Sequence, residues 1–273
     1  MNLTSPSQVK AWCIENGFHP NKTMGQNFLI DRNALVGIVD AGLQPLPAGK
    51  PSPNVLEIGP GLGVLTEEML SRGCRVTAVE KDPVLATRLK SSLGDPEALT
   101  VVAGDALDYV ADEAEALSNF DCMVSNLPYQ AGTRILLELV QSRALASMTV
   151  LVQTEVAERL AAKEGSKTRG LAGVWAQLDY DVEIVRKVAA SCFWPRPEIG
   201  SSVVRLVRHD RNSDLSAEER DIFRKLTKKA FEHRRKQLGS IFKDMIQSTA
   251  RAEQLSNEDW ICLVKGLMQD EDS

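Results

Sequence analysis

The run Val55-Leu56-Glu57-Ile58-Gly59-Pro60-Gly61-Leu62-Gly63 constrains the fold more than any other stretch of this chain. A short apolar segment feeds directly into a glycine-rich turn, where the backbone can bend sharply and a ligand can approach closely, as in the first strand-turn-helix unit of nucleotide-binding α/β folds. Downstream, short β-branched runs predict strands at 54–58, 75–80, 99–103, 120–126, 148–153, 183–189 and 202–209. Amphipathic stretches predict helices at 65–72, 83–93 and 132–144. This alternation implies an α/β fold, a parallel sheet with crossover helices. The last two strands have no helix between them. They predict an antiparallel pair at one edge, joined by a turn segment carrying Pro195, Pro197 and Gly200.

After Arg208 the composition changes. A linker leads to a helix start at Ser216, and no strand pattern follows before Ser273. The expected organisation is a catalytic domain at 1–209 and a small all-helical domain at 210–273. Net charge is -5, opposite to the basic balance of most nucleic-acid binders, so any such contact must come from a local cluster. Arg224, Lys225, Lys228, Lys229, Arg234, Arg235, Lys236 and Lys243 form one, relieved only by Glu232 and Asp244. The alternative is an ordinary solvated helix face. The five cysteines never form CxxC and the three histidines lie far apart, which predicts no metal and a reducing compartment. The chain shows neither a signal-peptide pattern nor an apolar run long enough to span a bilayer, so a cytoplasmic protein without a membrane partner is expected.

The glycine loop departs from the dinucleotide fingerprint, because Val64 stands where GxGxxG has its last glycine. Glu57, just before the turn, is awkward beside an anionic pyrophosphate and suits a cationic ligand. S-adenosyl-L-methionine, with its sulfonium and ammonium groups, is such a ligand. Glu80 follows Gly59 by 21 positions, where folds of this kind put a carboxylate on ribose hydroxyls. Asp105, after the third strand, can accept from the cofactor's adenine amino group. Each acid alone is as readily a solvated loop residue or helix cap. With the glycine loop, these two acids mark the ends of three successive strands.

The fourth strand ends in Ser125-Asn126-Leu127-Pro128-Tyr129. The N6 nitrogen of adenine is a poor nucleophile because its lone pair is delocalised into the ring. An Asn side-chain oxygen and a nearby carbonyl, oriented by the proline, can accept its two protons and localise that pair. Tyr129 would stack on the base. Phe193, in the stiff segment Phe193-Trp194-Pro195-Arg196-Pro197, is expected to offer a ring to the base's other face, with core packing as the rival explanation.

These motifs, in order, resemble those of the small-subunit ribosomal RNA adenine N6,N6-dimethyltransferase family of the KsgA type. The resemblance covers nearly the whole chain. It is carried by Met24-Gly25-Gln26-Asn27-Phe28-Leu29, Glu57-Ile58-Gly59-Pro60-Gly61, Glu80-Lys81-Asp82, Gly104-Asp105, Asn126-Leu127-Pro128-Tyr129, the segment 152–160, Phe193 to Pro197, and Arg234-Arg235-Lys236-Gln237-Leu238. It implies a Rossmann-like class I methyltransferase sheet, a helical C-terminal domain, and dimethylation of two adjacent adenines in a 3′ hairpin loop of small-subunit rRNA. It also implies a role in small-subunit biogenesis, with rRNA in an assembling 30S-type particle as partner. The cofactor-binding set so implied is Gln26, Asn27, Leu29, Glu57, Gly59, Gly61, Glu80, Lys81, Asp105, Ala106 and Asn126. Asn126, Tyr129 and Phe193 would handle the adenine, and Lys22, Arg224, Lys228, Arg234, Arg235 and Lys236 the RNA.

The chain departs from the family at Gln130-Ala131-Gly132, at Ile199-Gly200-Ser201 and in a weakly basic segment before Gly25. These departures touch RNA contact rather than methyl transfer. Three alternatives stand beside this reading: a large-subunit rRNA methyltransferase of the antibiotic-resistance type, an RNA-binding assembly factor that has lost catalysis, and a NAD-dependent oxidoreductase. No heptad pattern demands a dimer, so a monomer is expected.

Overall fold

A computed structural model of the chain describes residues 1–21, 24–47 and 49–271. The helices are α1 (Pro6–Glu15), α2 (Arg32–Leu43), α3 (Val64–Ser71), α4 (Pro83–Ser92), α5 (Ala106–Asp112), α6 (Gly132–Ser142), α7 (Thr154–Ala161), α8 (Leu171–Asp179), α9 (Ala217–Glu232), α10 (Leu238–Ile241) and α11 (Asn257–Glu271). The strands are β1 (Phe28–Leu29), β2 (Asn54–Ile58), β3 (Arg75–Glu80), β4 (Leu99–Ala103), β5 (Cys122–Asn126), β6 (Ser147–Gln153), β7 (Tyr180–Val188), β8 (Phe193–Trp194) and β9 (Ser201–Arg208).

Seven strands form one sheet in the order β4-β3-β2-β5-β6-β9-β7. β4 through β6 run parallel, and β9 pairs antiparallel with β6 from Gln153↔Ser201 to Ser147↔Val207. Central strands such as β5 and β6 are buried at nearly every position, which fits a sheet covered on both faces. Strand order reverses between β2 and β5, and this places the ligand crevice at the carboxyl ends of the strands. Aspartates start three of the helices. Asp31 accepts from the Ala34 N–H, Asp82 from those of Val84 and Leu85, and Asp105 from that of Leu107. Pro83 at the start of α4 fits because the N–H it lacks would have had no partner in the helix.

The chain divides into two compact units, 1–157 with 183–208, and 158–182 with 209–273. The sequence predicts a boundary at 209/210, but the second unit also takes in 158–182. The reason is α8: Val174 and Leu178 belong to the same apolar core as Phe223, Leu226, Leu255, Trp260 and Val264. Arg220 of α9 donates through Nη1 to both carboxylate oxygens of Asp179, at 2.9 and 2.8 Å, within that buried interior. Breaking such a pair from one side costs about 3–5 kcal/mol. Helix α9 begins with a reciprocal cap, the Ser216 hydroxyl accepting from the Glu219 N–H and the Glu219 carboxylate from the Ser216 N–H. Among the described residues no helix is long and apolar enough to cross a membrane.

Candidate active site

The carboxyl ends of β2, β3, β4 and β5 surround a cavity of about 400 Å³, within the size range of small-molecule sites. Gln26, Asn27, Leu29, Glu57, Gly59, Gly61, Glu80, Lys81, Asp105, Ala106, Asn126 and Tyr129 all line it.

Gly61 has φ +61, a Cβ there would stand 3.2 Å from the Phe28 ring, and its N–H donates to Glu80 Oε2 at 3.0 Å. The position therefore favours glycine for its backbone and leaves little room for a side chain. The other oxygen of Glu80 accepts from the Asp82 N–H at 2.8 Å. Burial pushes the Glu80 carboxyl up, and those two N–H groups pull it back. Two backbone donors thus orient the carboxylate while leaving lone pairs for further hydroxyl donors.

Asp105 serves two partners. Oδ1 accepts from the Leu107 N–H at 2.9 Å, and Oδ2 accepts from Lys81 Nζ at 2.6 Å. The Lys81 ammonium holds the carboxyl below its ordinary value, so it is ionised at neutral pH. Glu57 behaves differently. It is 1% exposed, it accepts from the Thr66 hydroxyl at 2.6 Å, and burial pushes its carboxyl up to about 8. Burial thus raises the Glu57 carboxyl while the Thr66 hydroxyl braces it beside the glycine turn.

Residues 24–29 form one wall of the cavity. Gln26 Nε2 donates to Asp82 Oδ2 at 2.9 Å while its Oε1 accepts from the Asn21 N–H at 2.7 Å. Gly25, at φ +68, brings this segment so close to the catalytic loop that a Cβ would sit 3.0 Å from the Tyr129 nitrogen. Asn126 Nδ2 donates to the Asn27 carbonyl at 3.2 Å, which leaves its Oδ1 as the available acceptor. The Tyr129 hydroxyl lies 2.6 Å from Ser201 Oγ, and burial raises its phenol above the ordinary value.

Phe193 stands apart from that lining. Its ring is 2% exposed within the core, its backbone pairs with Leu29 in the two-stranded β1-β8 ribbon, and it does not line the cavity. The Phe28 and Trp194 rings of the same ribbon stack at 6.5 Å between centroids. The basic residues Arg224, Lys228, Arg234, Arg235 and Lys236 belong to the second unit. Lys228, Arg235 and Lys236 are exposed, Arg224 is half-buried, and Arg234 donates to the Lys167 carbonyl at 2.9 Å. Lys22 lies outside the described residues.

Four residues around the site were given no role in it by the sequence reading: Asp82, Thr66, Ser201 and Arg134. The Asp-Pro start of α4 is a readable signal for Asp82. The others depend on contacts across the fold, which local pattern does not carry.

The cavity's acceptor set, Glu80, Asp105 and Asn126 Oδ1, suits an adenosine-bearing ligand. Carboxylates are held in place for hydroxyl and amino groups, and apolar walls come from Ile58, Val79 and Leu85. Among the described residues its lining cations are Lys81 and Arg134, and the first is occupied by Asp105, which leaves little for a pyrophosphate.

Residues 17–263 match the family model described as ribosomal RNA adenine dimethylase. A ribosomal RNA small subunit methyltransferase A of Deinococcus radiodurans is 45% identical, across 75% of this chain and 67% of that one. The protein so named in Bifidobacterium longum subsp. infantis is 34% identical, across 97% of this chain and 94% of that one. A Plasmodium falciparum dimethyladenosine transferase superposes with a TM-score of 0.75 at 23% identity, covering 89% of this chain and 98% of that one. The 23S rRNA methyltransferase ErmE gives 0.65 at 22% identity, covering 89% of this chain and 100% of that one. These last two likenesses are ones of fold.

Proposed function

This chain belongs to the ribosomal RNA adenine dimethylase family, and from that premise we propose that it dimethylates N6 of two adjacent adenines in a 3′ hairpin loop of small-subunit rRNA. It is an S-adenosylmethionine-dependent rRNA adenine dimethyltransferase. We further infer that it acts as a monomer in the cytoplasm, on rRNA within an assembling 30S-type particle, as a step of small-subunit biogenesis. The observation that carries the residue assignments is the convergence of the glycine loop, Glu80, Asp105 and Asn126 on one cavity.

S-adenosylmethionine, when bound, supplies a methyl group made electrophilic by the sulfonium it leaves. In this assignment Glu80 takes the ribose hydroxyls with the lone pairs that Gly61 and Asp82 leave free. Asp105 accepts from the cofactor's adenine amino group and is kept ionised for that by Lys81. Gly59, at φ +67, lets the backbone approach the ligand, and Gln26, Asn27, Leu29 and Ala106 close the walls. Asn126 Oδ1 and the Leu127 carbonyl accept the two N6–H groups of the target adenine, which localises the nitrogen lone pair toward the methyl group. Tyr129 stacks on the base and offsets part of the few kcal/mol needed to unstack it. Rate then comes from alignment and from hydrogen-bond acceptors fixed before the reaction begins. The residues of 210–273, above all Arg224, Lys228, Arg234, Arg235 and Lys236, hold RNA phosphates.

The test is transfer of labelled methyl from S-adenosylmethionine to unmethylated small subunits, to large-subunit RNA and to DNA, followed by nucleoside analysis. N6,N6-dimethyladenosine confined to small-subunit rRNA is expected. Label on large-subunit RNA alone would overturn the substrate assignment.

A further inference from the structure

Outside the residues already given a role, one buried polar contact points straight at the substrate side of the cavity. Ser201 opens β9, is 1% exposed, and its hydroxyl lies 2.6 Å from the phenolic oxygen of Tyr129. Ser201 is itself held firmly. Its backbone pairs with Gln153 at the end of β6, the preceding Gly200 carbonyl accepts from the Thr154 N–H at 3.1 Å, and the following Ser202 hydroxyl lies 3.1 Å from that of Thr154. Tyr129 is therefore anchored at two points, its backbone against Gly25 and its phenol on a rigid strand end.

We propose that Ser201 is a positioning residue for the second methyl transfer: it fixes the Tyr129 ring so that the enzyme carries N6-methyladenine on to N6,N6-dimethyladenine. This rests on the reading of Tyr129 as the platform for the base. In each transfer the N6 lone pair forms the new N–C bond, the C–S bond breaks with its electron pair staying on the sulfur, and one N6 proton leaves to solvent. Before the first transfer the adenine offers two N–H groups, one for Asn126 Oδ1 and one for the Leu127 carbonyl. Before the second it offers one. Half of the polar hold on N6 has gone, so alignment depends more heavily on stacking, and a ring free to tilt costs the second step more than the first.

The experiment compares the full-length wild type with Ser201→Ala, Tyr129→Phe, the double variant and Tyr129→Ala, on unmethylated small subunits. The readout is the ratio of N6,N6-dimethyladenosine to N6-methyladenosine at matched total methylation, together with the melting temperature. Ser201→Ala and Tyr129→Phe each remove the same hydrogen bond from opposite ends. Both are expected to lower the ratio several-fold, up to about tenfold, the worth of a single neutral hydrogen bond. The double variant should go no further than either alone. A merely structural role would lower the melting temperature or slow both transfers and leave the ratio unchanged. The proposal is overturned if the ratio is unchanged in either single variant while Tyr129→Ala abolishes methylation. If Tyr129→Ala itself methylates normally, it is the platform reading that fails. Should Ser201→Ala not fold, Tyr129→Phe against Tyr129→Ala decides the matter, because phenylalanine keeps the ring and loses only the anchor.

Discussion

The two units of this protein handle charge in opposite ways. In the first, the carboxylates Glu57, Glu80 and Asp105 are tied to a hydroxyl, to backbone N–H groups and to a lysine around one cavity. In the second, the charges inside serve the fold, as with Arg220 on Asp179, whereas Lys228, Arg235 and Lys236 stand in solvent. A small ligand is gripped by a few groups whose freedom has already been removed. A polyanion is held by many exposed cations, each worth little. The comparison yields testable asymmetries.

The largest effect is expected at Asn126. Asn126→Ala removes one fixed acceptor for N6, and kcat should fall about 10²- to 10³-fold by analogy with the loss of one preorganised hydrogen-bonding group in other active sites. Binding of rRNA, measured separately, should change little. A comparable loss of RNA affinity would break the division of labour between the units.

Next comes the double reversal Lys228→Glu with Arg235→Glu. The KM for rRNA should rise, and the salt dependence of binding should weaken by roughly one unit of log-log slope for each phosphate no longer neutralised. Affinity for S-adenosylmethionine by calorimetry should stay as in the wild type. An unchanged salt slope would return this basic cluster to the solvated-face reading.

How far the sequence reveals each unit follows the same divide. Strands β2, β3 and β4 end where they were expected to, because each runs into local turn chemistry: Gly59 after β2, Lys81-Asp82-Pro83 after β3, Gly104-Asp105 after β4. Gly59, Gly61, Lys81, Asp105 and Ala106, all of which line the cavity, lie in or beside those same turns, so local pattern and cavity coincide there. An aromatic beside two prolines, such as Phe193, reads alike from the sequence whether it meets a ligand or the core. Its burial depends on pairing with Leu29, far away in the chain. The ribbon of β1 and β8 was invisible for the same reason. Residues 158–182 were expected within the catalytic domain at 1–209 because α8 shares its apolar core with residues that follow much later, among them Phe223 and Trp260.

The smallest effect concerns Glu57. Its folded value of about 8 lies above the ordinary 4.5, so between those values the folded protein holds a proton that the unfolded chain has released. The stability this contributes is complete below about pH 4.5 and is lost as pH rises through about 8. Glu57→Gln removes that titration, so the variant's melting temperature relative to wild type should climb from about pH 5 to about pH 8, by on the order of a few degrees. A flat difference would mean that Glu57 is ionised in the folded protein, restoring the role of charge partner predicted from the sequence.

The helical unit is assembled from two separate stretches of chain, and their junctions fall within α7, within β7 and at the end of β9. Recombination therefore cannot exchange this unit as a cassette. A single crossover after β9 would import α9 and α11 without the α8 whose side chains share their core, and a double crossover would cut one helix and one strand. Change in this unit that keeps its core whole is thus channelled into surface substitutions on α9 and its neighbours.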